Sequence, residues 1–85
     1  MPRVRHLVLD VLKPHQPNAL EFARALAELG TDYRVQVQVK EVDEHTETLV
    51  VTLSGEDLDF ERLGQAIEEN GGSLHSIDEV VVQGQ

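Results

Sequence analysis

The sequence predicts one small α+β domain whose elements run in the order β-α-β-β-α-β. Three observations carry this: four segments alternate apolar and polar residues with period two, two segments space their apolar residues by three and four, and Pro, Gly and acidic residues punctuate the joins. At 85 residues the chain reads as a single domain over 1–85. A domain of that size buries only roughly 60% of the surface of its unfolded chain, so its core is thin and support from neighbouring subunits is expected.

The first strand runs from Val4 to Leu12, with Leu7, Leu9 and Val11 on one face and His6, Val8 and Asp10 on the other. Lys13-Pro14-His15-Gln16-Pro17 carries two prolines without N–H donors and is expected to leave the ladder, with Pro17 opening a helix. In that helix Ala19, Phe22, Ala23, Leu26 and Leu29 form one apolar stripe ended by Gly30. Val35, Val37 and Val39 then alternate with Gln36, Gln38 and Lys40, and Leu49, Val51 and Leu53 alternate with Thr48, Val50 and Thr52. These are strands two (34–43) and three (46–54) of a hairpin whose polar tip lies near Glu44 and His45. Asp57 or Asp59 caps a second helix with Phe60, Leu63 and Ile67 as its stripe and Asn70-Gly71-Gly72 as its exit. Gly64 inside it is expected to mark close contact with a strand. A last strand covers Ser73 to Val82.

Two helices over one face of four strands, joined by right-handed crossovers, give a ferredoxin-like two-layer sandwich with antiparallel order 4-1-3-2. The other sheet face is left bare. With Val8, Val50, Ile77 or Val81 on it, that face is a candidate subunit interface.

Sixteen acidic against seven basic side chains give a net charge of −9. Such a surface repels phosphate backbones and anionic lipids, so neither nucleic acid nor membrane is an expected partner. Asp10 and Lys13 interrupt the first apolar stretch too early for a signal peptide or membrane span, and a cytoplasmic protein is expected. No cysteine is present, which removes disulfides, thiolate metal sites and thiol nucleophiles. Both phenylalanines fall in helical stripes, leaving no aromatic platform on the sheet for RNA bases. The first loop has neither arginine nor glycine to cradle a phosphate. Ser73, His75, Ser76 and Asp78 resemble fragments of a hydrolytic triad, but strand alternation sends Ser73 and His75 to one face and Ser76 and Asp78 to the other. No catalytic set can be assembled from neighbours, and no enzyme is expected.

Two constellations remain. Glu41, Asp43, Glu44, His45 and Glu47 put carboxylates and an imidazole within a few residues of the hairpin tip, the donor set that hard divalent cations prefer. At what reads as the opposite end of the sheet lie Lys13 and His15, with Asp10 roughly level with His75. The free N–H groups at the start of the first helix, beside Lys13, His15 and Asn18, suit a small anion or carboxylate.

Leu9-Asp10-Val11-Leu12-Lys13-Pro14-His15 with Pro17, Glu41-Val42-Asp43 with Thr46-Glu47, and Gly71-Gly72-Ser73-Leu74-His75-Ser76-Ile77-Asp78-Glu79-Val80 together resemble the prokaryotic, chiefly archaeal family numbered 211 among the domains of unknown function. The similarity spans nearly the whole chain, and the closing Gly-Gly-x-x-His-Ser-x-Asp-Glu-Val run is its most specific part. The resemblance implies a ferredoxin-like fold and a ring-like homo-oligomer, and it supplies no activity. Its polar motif positions fall on Asp10, Lys13, His15, Glu41, Asp43, Glu47, His75, Asp78 and Glu79. The leading expectation is a non-enzymatic homo-oligomeric module binding a divalent cation, Ca or Mg, through Glu41, Asp43 and Glu47, with Asp78 and Glu79 as further donors. The alternatives are a regulatory module similar to amino-acid-sensing domains, holding a small molecule between subunits near Asp10, Lys13, His15 and His75, and a purely structural assembly unit.

Overall fold

The computed structural model describes residues 1–84. Its elements are β1 (Arg3–Pro14), α1 (Ala19–Ala27), β2 (Arg34–Val42), β3 (Thr46–Ser54), α2 (Phe60–Glu69) and β4 (Ser73–Gln83). They form one antiparallel sheet in the order β2-β3-β1-β4, the expected 4-1-3-2 read from the other edge. Leu7, Leu9 and Val11 of β1 and Leu49, Val51 and Leu53 of β3 face Phe22 and Leu26 of α1 and Leu63, Ala66 and Ile67 of α2, and all are buried. The core therefore lies over the two central strands. Each full burial of such a side chain contributes about 1.5–3 kcal/mol.

Helix α1 starts at Ala19, two residues later than its proline implies. The Asn18 side chain accepts a hydrogen bond from the Glu21 N–H at 2.9 Å and so caps the helix, leaving Pro17 just outside it. Asp59 caps α2 in the same way, accepting from the Arg62 N–H at 3.2 Å. Gly71, at φ 84°, takes the left-handed conformation that ends α2 and lets its N–H reach the Glu68 carbonyl.

Three differences from the sequence reading shape the surface. First, β1 continues through Lys13 and Pro14, which pair with Glu47 and Thr46 of β3. The proline is tolerated because β4 begins at Ser73 opposite Leu12, so beyond Leu12 the strand has a neighbour on one side only. Second, β4 carries two extra residues against β1, His75 and Asp78, in consecutive bulges. These shift the alternation so that Ile77 pairs with core-facing Leu9 and lies on the helix side, not on the bare face. Third, a side chain at Gly64 would meet nothing within 4 Å. The glycine touches no strand and instead lines a groove of about 530 Å³ between α2 and the start of β4, with Phe60 and Leu74 beside it.

Candidate functional site

Because β1 and β3 are antiparallel, the last residues of β1 lie beside the first residues of β3. The acidic hairpin and the Lys13/His15 loop are therefore at the same end of the sheet, not at opposite ends as the sequence reading has it. The strand order itself carries that signal.

Lys13 follows Leu7, Leu9 and Val11 in the core-facing row and is 1% exposed. An ammonium has three donors, and each finds an acceptor: the Pro14 carbonyl at 2.9 Å, the Pro17 carbonyl, and Glu47 Oε1 at 3.2 Å. Its charge also lies 6.0 Å from the centre of the Phe22 ring, within the range of a cation–π contact. The other Glu47 oxygen faces His15 Nδ1 at 3.3 Å, and His15 Nε2 lies 3.0 Å from the Glu44 carbonyl oxygen. Lys13, Glu47 and His15 thus form a latch that ties the β1–α1 loop to the hairpin. The hydrogen bond to Glu47, with the Glu44 carbonyl behind it, raises the His15 pKa, and the His15 and Lys13 contacts hold the Glu47 carboxyl below its usual range. The cations expected to serve an anion at the start of α1 are consumed by this latch.

The carboxylates of the expected metal site are not brought together. A bulge at Lys40 sets Glu41 opposite Thr48 and Val42 opposite Glu47, so Glu41 and Glu47 lie on opposite faces of the sheet. Asp43 is in the turn, its N–H bonded to the Thr46 carbonyl at 2.8 Å. Asp78 accepts from the Ser76 hydroxyl at 2.7 Å, and Glu79 pairs with His6 at 2.9 Å. Among the described residues no group of three His, Asp or Glu side chains is placed to hold a metal ion.

Of the second set, Asp10 and His75 lie near one another. They line a hollow of about 240 Å³ on the bare face with Leu12 and Thr48, while Lys13 and His15 belong to the latch. Asp10 pairs with Ser76 across β1 and β4, and His75 is the inserted residue beside it. The bulge places both residues on the rim of that hollow. Thr48 completes the hollow from β3, directly opposite Leu12. The sequence places Asp10 level with His75; the bulge at His75 and the Thr48 and Leu12 walls appear only once both strands are paired.

A family model described as Uncharacterized ArCR matches residues 5–85. The chain belongs to this family, DUF211. The uncharacterized protein MJ0319 of Methanocaldococcus jannaschii is 44% identical over 81 residues, covering 95% of this chain and 84% of the relative. Nothing in either description assigns DUF211 an activity. Among the described residues of this DUF211 chain, no helix is long and apolar enough to cross a membrane.

Proposed function

We propose that the chain is a non-enzymatic self-assembling module, in which the sheet of one copy continues into the next by pairing β4 with β2. The observation that carries the reading is the apolar flank of β4. Ile77 and Val80 sit in the same rows as buried Leu9 and Leu7, yet they remain 49% and 52% exposed. A row whose centre is a core and whose end is open is what a further layer of protein would cover.

Three features support β2 of another copy as that layer. Both β2 and β4 are sheet edges with unpaired backbone groups on their outer sides. They run in opposite directions, so a second copy in the same orientation meets β4 with an antiparallel strand and keeps its helices on the same side of the sheet. The charge balance of the two flanks also differs in sign: α1 and β2 carry Arg24, Arg34 and Lys40 against Glu21 and Glu41, while α2 and β4 carry Glu61, Glu68, Glu69, Asp78 and Glu79 against Arg62. In that arrangement α1 of the second copy lies beside α2, over the Gly64 groove. A head-to-tail contact of this type closes into a ring when its rotation closes.

The divalent-cation reading is not favoured by a single chain, whose Glu41, Asp43 and Glu47 point apart. A catalytic role is not favoured either, since the Ser76 hydroxyl donates to Asp78 and not to an imidazole. Light scattering across a wide concentration range tests the assembly: a mass that is a multiple of 9.5 kDa is expected, and Val80→Lys is expected to lower it to that of one chain. A wild-type monomer at every concentration would overturn the reading.

A further inference from the structure

We infer that the hollow formed by Asp10, Leu12, Thr48 and His75 is a binding site for a small alkylammonium ion. Its starting point is the state of Asp10. The carboxylate sits at the middle of a central strand, half-buried, between Val50 of β3 and Ser76 of β4. Val8 and Leu12 are its neighbours along the same face.

Other acids of this region have partners, Asp78 in the Ser76 hydroxyl, Glu79 in His6, and Glu47 in Lys13 and His15, while Glu41, opposite Thr48, is exposed at the sheet edge. Among the described residues, Asp10 has no such partner. A half-buried carboxylate with Val8, Leu12 and Val50 beside it is stabilised by a cation brought to it more than a fully exposed one would be, because water screens the attraction less there.

The remaining walls say which cation. The Thr48 hydroxyl offers lone pairs that accept N–H bonds in addition to the carboxylate, and the His75 ring lies on the rim beside them. Leu12 supplies an aliphatic wall 42% exposed, suited to methylene groups. A divalent metal would need a third ligating side chain, and none is placed there among the described residues. At about 240 Å³ the hollow lies below the range of about 300–1,000 Å³ typical of pockets for drug-sized ligands. A short-chain amine fits that size and chemistry. The net charge of −9 draws any cation to the surface, so specificity has to come from this group of residues.

The test is an NMR titration with 1,4-diaminobutane, using magnesium and acetate as controls. Saturable shifts centred on the amides of Asp10, Thr48 and His75 are expected, with neither control reproducing them. Asp10→Asn should weaken binding at least tenfold and the near-isosteric Thr48→Val several-fold, each with an unchanged backbone spectrum elsewhere. Glu28→Gln, which removes the same charge at the end of α1, should leave affinity within twofold. Equal losses from Asp10→Asn and Glu28→Gln, or shifts that never saturate, would reduce the effect to diffuse charge attraction and overturn the assignment. The outcome does not depend on the assembly, which light scattering reads separately.

Discussion

At the scale of single residues, Lys13 is the most consequential side chain. A buried ammonium survives in a thin core because two carbonyls and a carboxylate take all of its donors. Lys13→Met keeps the volume but leaves Glu47 with His15 as its partner and takes the donor from the Pro14 and Pro17 carbonyls. The expected loss is about 3 kcal/mol, as for breaking other buried pairs from one side, read as a lower urea midpoint. His15 adds a pH dependence whose sign follows from its raised pKa. Its contribution is present in full below the ordinary value of 6.5 and is lost as pH rises through the folded value. The lowered Glu47 works in the other direction: its contribution is present above 4.5 and is lost as pH falls through the folded value. The latch is therefore strongest in the mildly acidic window between them. Urea unfolding of wild type and His15→Ala should show a stability difference that shrinks above pH 6.5; a difference constant across pH 5 to 9 contradicts the latch. The sequence singles out all three residues through their polar motif. It does not show that they join, because Lys13 in isolation reads as a loop cation and becomes a core residue only once β1 is extended past its proline.

At the scale of elements, the helices, strands and hairpin are legible from periodicity alone, because each buries one face against the same core. The bulges are not. An inserted residue is defined by the partner strand, and β4 alone offers only a run of branched residues that fits several registers. The consequence is concrete: Ile77 moves to the helix side, and His75 becomes an inserted residue on the rim of the Asp10 hollow. Gly64 is legible as an anomaly but not as to its cause. Glycine inside a helix costs about 1 kcal/mol relative to alanine, and no contact within the chain requires it, since an added methyl group meets nothing within 4 Å. Gly64→Ala is therefore expected to raise the stability of the isolated chain by about 1 kcal/mol in thermal or urea unfolding. On the assembly reading it also narrows the groove where a neighbouring helix sits, so association should weaken. Gain in stability together with loss of association is a combination that a merely tolerated glycine would not produce.

At the scale of the whole molecule, a chain of 85 residues with its core confined to two central strands leaves both edges of its sheet open. The core row ends half-covered at β4, and the α2/β4 flank is strongly acidic where the α1/β2 flank is not. Sheet continuation from β4 to β2 accounts for these features together, while membership of DUF211 assigns no role. The most direct measurement is sedimentation velocity on the wild-type chain and on Val80→Lys over a hundredfold range of concentration. The account expects a discrete assembly for wild type and a folded 9.5 kDa monomer for the variant. A folded wild-type monomer throughout, or an assembly indifferent to Val80→Lys, would contradict it.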